Sequence, residues 1–209
     1  MRARRPTAAL AIIAALALGQ QITSHLDLEG GGLDDPFLET AALGQVAHLS
    51  YGDVEVTDVR PARHVVPQVS TELARIASGV YVLVSVKVTA LREPTSFLAA
   101  YLLDSEGRQF QPSAKAECAI NVKSFTGVPA YALFCFDMPT EALAGLHLQI
   151  GRGSQTYSTL QGDGVADIDL GISEADERSW PATEDAFLAE MTSREPIELQ
   201  SVTLQDVGS

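Results

Sequence analysis

The sequence predicts an all-β protein, an antiparallel β-sandwich of about seven or eight strands. The first observation is a row of valines at positions 80, 82, 84, 86 and 88, which share one face of a strand because side chains alternate with period two. The second is the tetrapeptide Asp-Ser-Glu-Gly at residues 104–107, which places a glycine where a tight hairpin needs it. The third is the regular spacing of short apolar runs and turn residues, with no long amphipathic helix between them.

The predicted strands follow one another through the domain. Residues 46–50 form a short apolar run, and residues 53–59 alternate with period two around Val54 and Val56. Residues 79–91 contain the row of valines, which is typical of a central strand with one fully buried face. The remaining predicted strands are residues 96–103, 108–111, 118–122, 131–138, 146–150 and 165–170, so that the sandwich domain spans residues 45–170.

Residues 1–24 are predicted to be a signal peptide or a signal anchor. Arg2, Arg4 and Arg5 precede an apolar run at residues 8–18, and this order of basic and apolar segments is that of a secretory signal. Because the arginines stay in the cytoplasm, the chain that follows is expected on the extracytoplasmic face of the plasma membrane. The run is shorter than the roughly 20 residues that span a bilayer, which favours cleavage and secretion. Weak cleavage sites favour a retained anchor helix instead.

The two segments that flank the predicted sandwich are expected to be irregular. Residues 25–44 hold a triple glycine and several acidic residues, which are typical of a flexible linker. The tail, residues 171–209, is acidic and is predicted to be partly disordered or to bind a partner, with a short helix at residues 184–191. Trp180 and Phe187 are rare aromatic residues and are the candidate contact residues of this tail.

The charge of the chain excludes one class of partner. The formal net charge is −13, and residues 151–209 contain twelve acidic and three basic side chains. A nucleic-acid-binding protein carries a basic patch instead, and an acidic surface is repelled by DNA and by anionic lipid. We therefore expect no nucleic-acid partner, and contact with the membrane only through the N-terminal segment.

Cys118 and Cys135 are the two cysteines of the chain, and both follow the predicted export segment. An even number of cysteines in an oxidising compartment predicts a disulfide. The alternative is a pair of buried free thiols on strands. The bridge would stabilise the domain by about 3 kcal/mol, because it restricts the unfolded chain.

No catalytic or cofactor motif stands out in the sequence. The histidines are His25, His48, His64 and His147, and none is paired with a second histidine or a cysteine at zinc-binding spacing. A Gly-x-Ser-x-Gly nucleophile elbow is absent from the sequence. We therefore predict no catalytic residues and no cofactor.

Asp163, Asp167 and Asp169 are weak candidates for a calcium site. Carboxylate oxygens beside a glycine are suitable calcium ligands, but the order of these residues differs from that of an EF-hand loop. Asp167 and Asp169 also share one strand face, opposite Ile168. Charged residues of this kind protect the edge of a sheet from unwanted pairing, and this interpretation is the stronger of the two.

Residues 79–139 resemble a known family. A valine-rich strand at residues 81–90 is followed by Glu-Pro, then by Tyr-Leu-Leu-Asp-Ser-Glu-Gly-Arg-Gln at residues 101–109 and by Phe-Cys-Phe-Asp-Met-Pro at residues 134–139. This succession resembles the exported bacterial immunoglobulin-like domains of unknown function, of actinobacterial type, which are related in fold to the mycobacterial immunoprotective secreted antigen. Gly-Val-Pro at residues 127–129 departs from the Pro-Gly turn of that family. The resemblance implies an immunoglobulin-like sandwich outside the cell, and it implies no reaction.

Three functions follow from these observations as hypotheses. The first is a non-enzymatic extracytoplasmic module that binds a protein or another component of the cell envelope. The second is an extracytoplasmic hydrolase with a non-standard site, which would need His64 or His147 beside a carboxylate and a serine. The third is a structural domain stabilised by calcium.

Overall fold

The computed structural model describes residues 36–67, 74–152, 163–189 and 191–203. The predicted export segment, residues 1–24, and most of the predicted linker lie outside these residues. Within the described ranges, no helix is both long and apolar enough to cross a membrane.

The described residues form two main β-sheets and a small third sheet, joined by short helical segments. The strands are β1 (Phe37–Ala42), β2 (Val46–His48), β3 (Gly52–Pro67), β4 (Arg75–Ala90), β5 (Thr95–Phe97), β6 (Ala99–Leu103), β7 (Gln109–Phe110), β8 (Val122–Ser124), β9 (Pro129–Met138), β10 (His147–Gly151), β11 (Gly164–Asp169), β12 (Ala186–Ala189) and β13 (Thr192–Ser193). The helical segments are α1 (Glu174–Ser179) and two 3₁₀ turns (Ala114–Ala116 and Trp180–Ala182).

The first sheet has the strand order β1-β11-β10-β6-β7. Strand β10 pairs antiparallel with β11 and with β6, whereas β1 pairs parallel with β11. Strand β1 falls within the segment that composition assigns to the linker, so the sheet begins at Phe37. The amide of Phe37 donates to the carbonyl of Asp163 at 2.9 Å, a long-range bond that local composition does not reveal.

The second sheet has the order β12-β3-β4-β9-β13, and β2 also pairs with β3. Strand β4 is central and pairs antiparallel with β3 and with β9 along most of its length. Its valines are completely or almost completely buried, as the alternation predicts. The β-sandwich itself is therefore confirmed.

The sheets are mixed rather than antiparallel. Strand β1 runs parallel to β11, and β12 runs parallel to β3. The prediction of a purely antiparallel sandwich is wrong at these two edges. The reason is that a period-two pattern determines which side chains are buried, but it carries no information about the direction of the neighbouring strand.

The main core lies between the two sheets. Val84 of β4 and Phe134 of β9 contribute from the second sheet, and Leu148 of β10 and Ile168 of β11 contribute from the first, all at 0% exposure. Burying a side chain of this size stabilises the folded state by about 1.5 to 3 kcal/mol. The two sheets therefore hold each other in place through this layer.

A second core covers part of the outer face of the second sheet. Its floor includes Tyr81 of β4 and Leu133 of β9, whose side chains alternate with those of the main core. Cys118 of the segment between β7 and β8 covers this floor and is joined to Cys135 of β9 in a disulfide, with 5.8 Å between their Cα atoms. The predicted bridge is thus confirmed, and it closes the second core.

The described part of the C-terminal tail, residues 171–189 and 191–203, belongs to the fold. Strand β12 occupies four of the eight residues 184–191, where the sequence pattern predicts a helix, and it places Phe187 beside Val65 of β3. The physical reason is that pairing with β3 buries Phe187 in the second core, and this outweighs a weak local helix preference. The helix α1 lies earlier, where Ser173 and Asp176 form a reciprocal capping box.

The β6–β7 hairpin is confirmed at residues 104–107, and a buried carboxylate organises it. The side chain of Asp104 is 1% exposed and accepts hydrogen bonds from the amides of Glu106 at 2.9 Å and Arg108 at 2.8 Å, and from the Arg108 guanidinium. Burial acts to raise the pKa of Asp104, but these hydrogen bonds and the charge of Arg108 outweigh it, so that the pKa lies below its usual value. Asp104 is therefore more acidic in the folded protein.

Replacing Asp104 with asparagine is expected to lower the free energy of unfolding by about 1 to 2 kcal/mol at neutral pH. Because the folded-state pKa is lowered, the wild-type carboxylate contributes its full stabilisation above its unfolded pKa, and it loses this as the pH falls through the folded-state pKa. The difference between Asp104→Asn and the wild type should therefore shrink below about pH 4. Urea unfolding of both proteins at neutral and acidic pH measures this difference in the free energy of unfolding. A difference that grows on acidification would contradict a lowered pKa of Asp104 in the folded protein.

Candidate functional site

The three calcium candidates are not brought together around one point. Asp163 forms an ion pair with the guanidinium of Arg152, and Asp169 accepts a hydrogen bond from the amide of Gly171 at 2.8 Å. Asp167 contacts Nδ1 of His147 at 3.1 Å. Across the part of the chain that the structure describes, no group of three or more acidic, histidine or cysteine side chains could hold a metal ion. Each carboxylate instead has a partner within its own sheet or loop.

The described histidines lie in separate places. His48 contacts Asp53 at 2.9 Å in an exposed pair, and His147 contacts Asp167 in a partly buried pair. His64 is buried, and its Nδ1 has no hydrogen-bond partner. Among the described contacts, none joins a histidine to a serine hydroxyl, so the geometry that the hydrolase hypothesis requires is not assembled from these residues.

The two aromatic residues of the tail pack against this chain itself. Trp180 is partly buried against the main core. Phe187 is 4% exposed in the second core. The structure gives Phe187 an internal packing role, because residues of its own chain cover its side chain. The side chain is therefore not exposed for contact with a partner.

An exposed groove lies between β8 and β13. We call it the β8–β13 groove, and its volume is about 400 Å³. Strand β8 and the turn after it form one wall, and β13 and the start of β9 form the other. The side chains that line it include Lys123, Phe125, Val128, Pro129, Thr192 and Arg194.

The turn at residues 125–128 presents two apolar side chains to solvent. Phe125 is 50% exposed and Val128 is 45% exposed. The turn is held from below by Ser124, which is fully buried and donates through its hydroxyl to the carbonyl of Val128 at 2.7 Å. The same hydroxyl accepts a hydrogen bond from the amide of Ala90 at 2.9 Å, which fixes the turn to the end of β4. The exposed side chains are thus displayed on a rigid support.

Two cations flank these apolar side chains. Lys123 and Arg194 line the groove, both are exposed, and neither forms an ion pair with a described residue. The ammonium of Lys123 lies 5.5 Å from the centre of the Phe125 ring, within range of a cation–π contact. Most of the other described lysines and arginines, such as Arg75 and Arg152, are paired with acidic side chains. The groove is therefore a basic and apolar site on an acidic protein.

The sequence pattern did not single out this site. Residues 124–129, Ser-Phe-Thr-Gly-Val-Pro, lie between two predicted strands and have the composition of a connecting turn. An aromatic residue inside a predicted turn was the available indication, because such a side chain has no core to enter. The contribution of Arg194 could not be found in this way, since it lies 69 residues further along the chain.

Another cluster fixes the loops at one end of the first sheet. The hydroxyl of Tyr51 donates to the carbonyl of Gly164 at 2.7 Å and accepts from the amide of Arg152 at 3.1 Å. The Arg152 guanidinium lies over the Tyr51 ring at 4.4 Å and pairs with Asp163. Burial raises the pKa of Tyr51 to about 12, so the hydroxyl keeps its proton and remains a donor. This cluster ties β10 and β11 to the loop before β3.

The described residues form a β-sandwich domain with an exposed groove between β8 and β13. No family model and no curated protein matches the sequence. Two solved structures are similar to it. The yjhA protein from Bacillus subtilis has a TM-score of 0.46 and 10% sequence identity, over 62% of this chain and 98% of that protein. An uncharacterized β-sandwich protein from Clostridium difficile 630 has a TM-score of 0.39 and 11% identity, over 65% of this chain and 96% of that protein.

Proposed function

We propose that this chain is a non-enzymatic extracytoplasmic β-sandwich module, of the exported immunoglobulin-like kind, that binds a protein of the cell envelope through the β8–β13 groove. The observation that carries the proposal is the rigid turn that exposes Phe125 and Val128 between Lys123 and Arg194. Aromatic side chains, phenylalanine among them, and arginine are enriched at protein interfaces.

The chemistry of the groove defines the segment that it would bind. An apolar side chain of the partner would pack on Phe125 and Val128, where the turn already holds both residues in place and little ordering entropy is lost on binding. Carboxylates on either side of that side chain would pair with Lys123 and Arg194. The rest of this chain is acidic, with 27 acidic and 14 basic side chains overall, so its field would favour approach of such a segment at the groove rather than elsewhere.

Two features support the extracytoplasmic location. The first is the basic and then apolar N-terminal sequence at residues 1–18, which has the order of an export signal. The second is the Cys118–Cys135 disulfide, because structural disulfides persist in oxidising compartments and are rare in the reducing cytosol. Both features support the proposed extracytoplasmic location, one through the sequence and the other through the structure.

The test is site-specific crosslinking in the native host, with the full chain. A photoreactive amino acid at Val128 would lie in the groove, and the same amino acid at Ile76, which is 57% exposed and does not line the groove, is the matched control. We expect the Val128 probe to capture one envelope protein that the Ile76 probe does not capture. Combining the probe with Lys123→Glu and Arg194→Glu should abolish the product, whereas Lys115→Glu, another exposed lysine, should leave it.

The affinity of the captured protein then measures the contribution of the turn. Phe125→Ala should weaken binding at least tenfold, and Ile76→Ala should leave it within about twofold. Equal capture by the probes at Val128 and Ile76 would overturn the proposal, as would an affinity that does not change on replacement of Phe125. Phe125→Ala and Ile76→Ala replace half-exposed side chains, so both variants should unfold at the same temperature as the wild type. A loss of affinity with unchanged thermal unfolding is then an effect on binding and not on folding.

A further inference from the structure

Within the described ranges, strand β1 forms a sheet edge that no other strand covers. It is the first strand in the order β1-β11-β10-β6-β7, and among the described residues it pairs only with β11. The other edges are short or covered. Strands β7 and β13 have two residues each, and the outer side of β12 is bonded by the segment at residues 200–202. An uncovered strand of six residues is a template for pairing with another strand.

The backbone groups that face this open edge follow from the pairing with β11. The amide of Phe37 donates to Asp163, and the amide of Leu43 donates to Asp169, each at 2.9 Å. Backbone groups alternate in direction along a strand, so the odd-numbered residues face β11 and the even-numbered residues face outward. The amide of Ala42 is partly satisfied by the side chain of Gln45 at 3.4 Å. Leu38 and Thr40 therefore carry the backbone groups available to a new strand.

The side chains of this edge are unusually apolar for an exposed position. Phe37 is 74% exposed, Leu38 is 47% exposed, and Leu43, directly after the strand, is 41% exposed. Exposed edges are commonly protected by lysine or by proline within the strand, and β1 contains neither. Its single charge is Glu39. The edge thus lacks the usual protection and exposes surface that a partner strand would cover.

We propose that β1 pairs antiparallel with β1 of a second copy of this chain, around a two-fold axis at Thr40. An axis perpendicular to the sheet keeps each side chain on its own face, so only residues of the same parity can lie opposite one another. With Thr40 opposite Thr40, Leu38 lies opposite Ala42 and Glu39 lies opposite Ala41. Phe37 then meets Leu43 of the other copy at each end, which covers the exposed apolar side chains.

The neighbouring register is disfavoured by charge. An axis at Glu39 would place two carboxylates directly opposite each other, and like charges at that position destabilise a pair of strands. The axis at Thr40 removes this repulsion and creates a threonine pair, which is a favourable cross-strand combination. It also puts at the centre a residue whose amide and carbonyl face outward. Self-association through β1 would join two five-stranded sheets into one continuous sheet.

The test is the oligomeric state of the purified full chain, measured by sedimentation equilibrium over a range of concentrations. Thr40→Pro removes the central outward amide without removing a bond to β11, so it should weaken self-association at least tenfold, or about 1.4 kcal/mol, while the thermal unfolding remains that of the wild type. If Thr40→Pro perturbs folding, Leu38→Lys tests the same edge, with Ile76→Lys as its control on another exposed side chain.

The register has its own test. Under mild oxidation, Thr40→Cys should crosslink to itself, because opposite residues lie about 5.5 Å apart between Cα atoms. Leu38→Cys should not, because its counterpart lies opposite Ala42 and is several residues away. A wild-type chain that stays monomeric at all concentrations would overturn the proposal. So would a dimer that persists in both Thr40→Pro and Leu38→Lys, or equal crosslinking at positions 38 and 40.

Discussion

Replacing Phe187 with alanine is expected to lower the free energy of unfolding by about 3 kcal/mol or more. Phe187 is 4% exposed and packs in the second core, beside Val65 of the strand that it pairs with. Removing the ring takes away its burial and leaves a cavity between β12 and the sheet, and the surrounding backbone can close only part of it. Urea unfolding followed by tryptophan fluorescence measures the loss, since Trp180 lies shortly before β12 in the chain.

The matched control is Phe125→Ala. Phe125 is the same residue type but is 50% exposed on the turn beside the groove, so its removal should change the free energy of unfolding by less than about 0.5 kcal/mol. If Phe187→Ala unfolds at the same urea concentration as the wild type, the tail does not belong to the cooperative fold. The contrast between two phenylalanines therefore separates a structural aromatic residue from one that is free to contact a partner.

The central strands of the sandwich could be predicted from the sequence because their signal is local. In β4 the valines alternate with Tyr81 and Leu83, and a period of two is enough to identify a strand that is buried on one face. The β6–β7 hairpin was equally visible, since Asp104 and Gly107 are turn residues at fixed positions. In both cases the residues that decide the structure are neighbours in the chain.

The edges of the two sheets could not be predicted in the same way. Strand β1 follows a glycine-rich segment, and β12 lies in an acidic tail, so composition favours irregular structure in both places. Each becomes a strand because a distant strand, β11 or β3, offers its backbone groups. Whether such a partner is available is a property of the folded chain, and tertiary pairing of this kind outweighs local preference.

The β8–β13 groove could not be predicted from the sequence either, because it depends on residues that are distant in the chain. Its rigidity depends on Ser124, whose hydroxyl meets the amide of Ala90 from the end of β4. In the sequence this serine is one polar residue of a turn, and only the fold places it at 0% exposure beneath Phe125 and Val128. The charge of the groove likewise needs Lys123 and Arg194 to lie on opposite walls. The period-two pattern of the strands therefore does not predict a site that is built from sheet edges and turns.

Replacing both Cys118 and Cys135 with alanine is expected to lower the free energy of unfolding by about 3 kcal/mol. The bridge spans a sequence separation of 17 residues, and in the chain-entropy account its loss allows the unfolded chain more conformations. Unfolding in urea should therefore occur at a lower concentration for the double variant, and for the wild type after reduction. If the double variant, the reduced wild type and the oxidised wild type unfold together, the bridge does not stabilise the domain.

The disulfide and Phe187 belong to the same cluster, and this makes their effects interdependent. Cys118 holds the segment before β8 over β9, and Phe187 reaches the same outer face of the sheet from β12. Removing either the disulfide or the Phe187 ring loosens the packing of the second core. The group that remains then contributes less to stability, because the core around it is less well packed. The triple variant Cys118→Ala/Cys135→Ala/Phe187→Ala should therefore lose less stability than the sum of the separate losses, by about 0.5 kcal/mol or more. Strict additivity would show instead that the bridge and the tail stabilise the sheet independently.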